Sequence, residues 1–122
     1  VTVVAYGMMV ERALTAAKSL AKEGVECEVI DLRTLSPIDM DSVLESVENT
    51  GRLVVVDEAN PRCNIATDVS AQVAQQAFKA LKAPIEMVTA PHTPVPFTPA
   101  LEDLYIPTAD KVADAVRKTM SN

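Results

Sequence analysis

Few side chains in this sequence can do chemistry, and their spacing narrows the choice. His92 is the sole histidine, so a Ser-His-Asp triad, a Cys-His pair or a histidine-rich zinc site would have to use it. No G-x-S-x-G elbow is present, and His92 stands in a proline-rich stretch, which suits an interface contact better than a base. Cys27 and Cys63 are too few for a disulfide framework and form no CxxC doublet, so both read as reduced thiols. Cys27 falls in an alternating run and reads as a small core residue. Cys63 follows Arg62 at a helix start, where a thiolate is favoured, although packing is the simpler role. With only three glycines, Gly7, Gly24 and Gly51, neither GxGxxG nor GxxxxGK[ST] can be written.

The remaining candidates are acids. Ligands of parallel sheets gather at the carboxyl ends of strands, beside the point where strand order reverses. That crevice would lie between Gly7-Met8 and Asp57-Glu58-Ala59-Asn60, with Asp31 and Arg33 nearby. Carboxylates there could bind magnesium or surround a phosphorylatable aspartate. A receiver-like site wants paired acids after the first strand, however, and Tyr6-Gly7-Met8 stands in that place. An anion resting on the helix amides after Gly7 is the other chemistry this crevice allows.

The elements that must position these residues alternate between two periods. Apolar runs at 1–6, 25–32, 52–57 and 85–89 are separated by helix-patterned stretches, the signature of βαβ units and a parallel sheet. The first helix carries Met9, Ala13, Leu14, Ala17, Leu20 and Ala21 and stops at Gly24. The second is predicted over 37–49, with Ser36 as cap, Pro37 in the first turn and Gly51 after its end. The third is predicted from an Asn64 cap to about Lys82, with Ile65, Val69, Val73, Ala77 and Leu81 on one stripe and Pro84 preventing continuation. The last runs from a Thr108 cap to about Ser121, with Val112, Val116 and Met120 at four-residue steps. Runs 1–6 and 52–57 are almost wholly apolar and read as central strands; 25–32 alternates, 85–89 carries Glu86, and both read as edges. Right-handed crossovers then give strand order 2-1-3-4, a flavodoxin-like half-sheet within a three-layer α/β/α fold of mostly parallel strands.

One segment escapes this pattern. Residues 90–107 hold five of the eight prolines and show neither period. They are too apolar for disorder, so an extended, proline-stiffened arm is expected, either wrapping its own domain or forming a subunit or domain interface.

Composition bounds the partners. The 122 residues suffice for a single domain, 1–122, burying roughly two-thirds of its unfolded surface. A formal charge of −6 argues against sequence-independent binding to nucleic acid or to an anionic membrane. No apolar run approaches the roughly 20 residues of a membrane span, and the expected setting is cytoplasmic. A strand that begins at Val1 reads as part of a module taken from a longer polypeptide.

Four stretches together carry a resemblance. Val25 to Asp39 (VECEVIDLRTLSPID), Arg52 to Glu58 (RLVVVDE), Thr93 to Phe97 (TPVPF) and Leu104 to Pro107 (LYIP) resemble the C-terminal transketolase-type domain. More narrowly, they resemble the beta subunits of thiamine-diphosphate-dependent 2-oxo acid dehydrogenases. Asp57 to Phe78 (DEANPRCNIATDVSAQVAQQAF) is similar to beta subunits of acetoin dehydrogenase, while pyruvate and branched-chain enzymes share most of the other motifs. The resemblance implies that thiamine diphosphate and magnesium serve the parent enzyme but bind outside these residues. No catalytic, cofactor-binding or metal-ligating residue is therefore assigned.

Assembly is the implied role: contact with an alpha subunit and a second beta subunit, and docking of the peripheral binding domain of a dihydrolipoamide acyltransferase. By position, docking would use Lys118 to Asn122 and the turn around Lys82. There the pyruvate-type Leu-Asp-Ala-Pro is replaced by Leu81-Lys82-Ala83-Pro84, an ammonium in place of a carboxylate, and Glu86 is the alternative acid. His92, Phe97 and Tyr105 are the candidate contacts of the arm.

Overall fold

A computed structural model describes residues 1–122. Strands β1 (Thr2–Ala5), β2 (Glu28–Asp31), β3 (Leu53–Val56) and β4 (Glu86–Val88) alternate with helices α1 (Met8–Ala21), α2 (Met40–Thr50) and α3 (Ile65–Gln76). Two further helices, α4 (Pro99–Tyr105) and α5 (Ala109–Met120), follow β4. All strands run parallel in the order β2-β1-β3-β4, as the distribution of polar residues among the four runs requires. Every residue of β1 and β3 is buried, whereas Glu28 and Asp31 of β2 and Met87 of β4 are exposed.

Two aliphatic cores lie on opposite faces of the sheet. Val3, Ala5, Val54 and Val56 face Met9, Ala13, Ala16 and Leu20 of α1 and Val112 and Val116 of α5. Val4, Leu53 and Val55 face Val43 and Val47 of α2 and Val69 and Val73 of α3. Thr2 shares the second face and is fully buried, its hydroxyl 2.7 Å from both Ser46 Oγ and Thr50 Oγ1. Ser46 in turn donates to Glu28 Oε2 at 2.6 Å, so this polar cluster is satisfied within the chain.

Local structure departs from the expected pattern in four places. On α1 the buried stripe is Met9, Ala13, Ala16 and Leu20, while Leu14 and Ala21 are exposed. Leu14 lies one step, about 100°, beyond Ala13 and falls off the core face. Helix α2 starts later than Pro37: Leu35 bridges Ile38 across a turn holding Ser36 and Pro37, and the cap is Asp39, whose carboxylate accepts from Ser42 N at 3.1 Å and Ser42 Oγ at 2.6 Å. Those bonds hold the Asp39 carboxyl below its ordinary value. Helix α3 ends at Gln76 and gives way to a 3₁₀ turn, Phe78–Ala80, and an extended Leu81. On α5 the buried residues are Val112, Ala113, Val116 and Thr119, and Met120 is exposed. Thr119 closes its hydroxyl onto Val116 O, and its own carbonyl accepts from Arg52 Nε at 2.9 Å.

The other caps form as expected. Asn64 accepts from Thr67 N while Thr67 Oγ1 accepts from Asn64 N, a reciprocal capping box. Thr108 accepts from Lys111 N. Gly51 ends α2 at φ +72°, and a Cβ built there would lie 2.8 Å from Lys82 Cδ, so backbone conformation and space both call for glycine.

Candidate functional site

At the carboxyl ends of β1 and β3 the expected crevice forms, but its acid is already engaged. Tyr6 OH donates to Asp57 Oδ1 at 2.7 Å across the two strands. Ala59 N donates to the same oxygen at 2.9 Å, and Ala66 N, in the first turn of α3, donates to Oδ2 at 3.2 Å. Asp57 is fully buried, and its carboxylate fastens the 57–64 loop and the start of α3 to the strand ends. Burial, together with the bond to Asp57, pushes the Tyr6 phenol well above its ordinary value, so it remains a donor at neutral pH. Asp31 is taken by Arg33 Nε at 3.2 Å, and Glu58 is exposed. No three His, Cys, Asp or Glu side chains converge as a metal-binding group. The arrangement therefore positions backbone and offers little for acid–base or metal chemistry.

The cysteines do not add to it. Cys27 is half-buried against the α1–α5 core, and burial pushes its thiol up. Cys63 is exposed, with a positive φ of 53° in the loop before α3. His92 is exposed too, beside a shallow recess shared with Asn60, Thr93 and Pro94.

The 90–107 arm is partly helical, contrary to the expectation of an extended segment throughout. Thr98 precedes Pro99 at the first turn of α4, a favourable helical entry. Only Tyr105 of the arm's larger apolar residues is well buried, its OH reaching Thr93 O at 3.4 Å. Phe97 is 100% exposed, Leu104 74%, Val95 68% and Leu101 54%. These four side chains give the arm an exposed apolar surface, whereas the buried side-chain polar atoms all have partners.

The docking candidates divide into two groups. Lys118 Nζ sits 2.9 Å from Glu86 Oε1 and 3.0 Å from Oε2, so these two residues pair with each other across α5 and β4. Asn122 Nδ2 donates to Lys118 O and caps the end of α5. Lys82 is exposed, its stem lying over Gly51, with its backbone N bonded to Gly51 O at 2.8 Å. Sequence reasoning missed what lies beside Lys82: a groove of about 650 Å³ lined by Phe78, Lys79, Leu81, Lys82, Pro84 and Ile85. The available signal was Phe78, which falls one position off the apolar stripe of α3.

The family model for the C-terminal domain of transketolase matches residues 1–112. The chain belongs to that family. It is 77% identical over 120 residues to the acetoin:2,6-dichlorophenolindophenol oxidoreductase subunit beta of Cupriavidus necator, covering 98% of this chain and 36% of that protein. Identity to the Bacillus subtilis subunit of the same name is 56% over 112 residues, covering 92% and 33%. The pyruvate dehydrogenase E1 component subunit beta of Bacillus subtilis is 42% identical over 119 residues, covering 98% and 36%. The chain thus spans about a third of the length of these relatives. A solved split-gene transketolase, described as an inactive beta4 tetramer, superposes with a TM-score of 0.84 at 32% identity, over 98% of this chain and 38% of that one. The three-layer transketolase C-terminal fold and the homology to acetoin dehydrogenase beta subunits accordingly agree with the motifs in the sequence.

Proposed function

We propose that this chain is the non-catalytic assembly and docking domain of the beta subunit of a cytoplasmic acetoin dehydrogenase. The parent enzyme would cleave acetoin with thiamine diphosphate and pass a two-carbon unit to a lipoyl carrier. The carrying observation is identity: 77% and 56% to two acetoin-oxidoreductase beta subunits, against 42% to a pyruvate dehydrogenase beta subunit. The site supports the non-catalytic part. Asp57 is consumed by Tyr6, Ala59 and Ala66, and no acids gather to hold a metal, so these residues do not fit thiamine diphosphate and its magnesium. The exposed Phe97, Leu101 and Leu104 support the assembly part, as surface suited to the alpha subunit or a second beta subunit. For docking of the acyltransferase's peripheral binding domain the proposed surface is the Lys118–Asn122 end of α5, with Glu86, beside Lys118, as the acid in place of the carboxylate that Lys82 replaces at the neighbouring turn.

Isothermal calorimetry tests both parts. The chain is expected to take up the acyltransferase binding domain, and to do so more weakly after truncation at Lys118; thiamine diphosphate with magnesium should give no heat. Micromolar binding of thiamine diphosphate would overturn the non-catalytic reading, and absence of acyltransferase binding would overturn docking. NMR shifts confined to Tyr6–Met8 and Asp57–Asn60 on adding phosphate or nucleotide would point instead to a stand-alone anion-binding module.

A further inference from the structure

Apolar exposure and unbalanced negative charge coincide on the 90–107 arm. Phe97 is fully exposed, and Val95, Leu101 and Leu104 are each more than half exposed. Glu102 and Asp103 stand between the two leucines, and Glu58 lines a recess of about 220 Å³ with Val95, Glu102, Tyr105 and Ile106. All three acids are exposed, and none takes part in any of the four ion pairs. No lysine or arginine occurs between Lys82 and Lys111, so the segment supplies no cation of its own.

The arm is also held in shape before anything meets it. Tyr105 is buried with its OH 3.4 Å from Thr93 O, and Ala90 N donates to Ala59 O at 3.1 Å. Five prolines restrict the backbone between these ties. A partner therefore meets a preformed surface, and little ordering of the arm opposes binding.

Size decides what that partner must bring. Phe97 offers roughly 150–250 Å², and with three further side chains the patch reaches the roughly 300–600 Å² of the largest, often functional, patches on a monomer. That is short of the ~800 Å² per partner of a specific interface, so the surrounding polar groups must belong to the same contact. Its three unpaired carboxylates then select the sign. A second copy meeting arm to arm would set these acids against their own kind, in a chain of net charge −6. An apolar face flanked by lysine and arginine meets both features at once.

We propose that the arm docks a different polypeptide whose leucine- or phenylalanine-type side chains are flanked by lysine and arginine. Phe97, Leu101 and Leu104 are buried in that contact, and Glu58, Glu102 and Asp103 select the basic flank. The inference rests on the assembly reading above and specifies the chemistry of the partner.

Two synthetic amphipathic peptides with the same leucine face, one flanked by lysine and the other by glutamate, test it by NMR titration and fluorescence anisotropy on the full chain. The lysine peptide is expected to bind about 10-fold or more tightly than the glutamate peptide, and to weaken as salt rises. Its amide shifts should fall at Glu58 and within 95–105. Glu102→Gln with Asp103→Asn should weaken it about 10-fold, and Phe97→Ser should do the same with the charges intact. All three positions are exposed, and unchanged circular dichroism checks that the variants fold. Equal affinity for the two peptides, shifts outside the arm, or indifference to either variant would each overturn the proposal. Self-association of the parent chain that Phe97→Ser abolishes would overturn it too, since a second copy would then be the occupant. If the chain still joins the alpha subunit in sedimentation while ignoring the lysine peptide, the assembly reading stands and this inference falls; failure to join it strikes that reading itself.

Discussion

Removing the Tyr6 hydroxyl should expose how much the Asp57 clasp contributes to folding. In Tyr6→Phe the ring is retained and only the 2.7 Å bond to Asp57 Oδ1 is lost. Asp57 is fully buried, so water cannot readily replace that donor, and a hydrogen bond to an ionised group contributes about 1.5–3 kcal/mol. The two backbone donors, Ala59 N and Ala66 N, remain, which places the expected loss in the lower half of that range. Asp57→Asn should cost more although its shape is conserved. An amide nitrogen in the Oδ1 position faces Ala59 N–H, and in the Oδ2 position it faces Ala66 N–H; either way a backbone donor loses its acceptor. Leaving that donor unsatisfied adds roughly 1–3 kcal/mol. Urea unfolding followed by circular dichroism, with a slope of about 1–3 kcal/mol per molar for a protein of this class, resolves the two variants. A Tyr6→Phe change below about 0.5 kcal/mol, or Asp57→Asn more stable than Tyr6→Phe, would refute the reasoning, because both follow from counting donors at one buried carboxylate.

Further outcomes follow from the same structure. The Tyr6 phenol is raised in the folded state, so its contribution is intact below the ordinary value of 10.0 and declines as pH rises beyond it; the stability difference between the parent chain and Tyr6→Phe should be full below pH 10 and narrow above it, as urea unfolding across that range checks. Glu23 is held low by Arg117, whose Nη2 and Nε donate to its two oxygens at 2.6 and 3.1 Å, so that stabilisation is present above 4.5 and fades as pH falls below it. Acid unfolding of Arg117→Ala should lack this component. Gly51→Ala should lose about 1–2 kcal/mol by thermal unfolding, from left-handed backbone strain, and trimming Lys82 to alanine should recover only the part due to crowding. Asn64→Ala, which opens the capping box of α3, should cost about 1 kcal/mol in the same assay.

The layered fold was legible because polarity sorts the strands. Valine-rich runs can lie only in the middle of such a sheet, and the alternation of Val25, Glu26, Cys27, Glu28 and Val29 marks an edge. Caps were legible where one side chain had one role, as at Asn64 and Thr108. Ser36 was the expected cap of α2, but the turn closed by Leu35 and Ile38 takes up Ser36 and Pro37 and moves the cap to Asp39. Helix α4 was obscured because seven residues are too few to establish a period among prolines. The clasp at Asp57 was hidden for a different reason: it joins side chains 51 positions apart, which no local pattern encodes. The groove beside Lys82 is likewise assembled from the end of α3 and the approach to β4.

The buried hydroxyl of Thr2 has a consequence for how the sheet reaches one pairing. Val3, Val4, Val54, Val55 and Val56 are nearly interchangeable in shape, so a two-residue slip of β1 against β3 would still bury valine on valine. Such a slip would carry Thr2 away from Ser46 and Thr50 and strand its hydroxyl among methyl groups. The penalty for an unpartnered buried hydroxyl, roughly 1–3 kcal/mol, falls on the misaligned sheet alone. One threonine thus acts as an alignment mark in a strand otherwise made of valine and alanine.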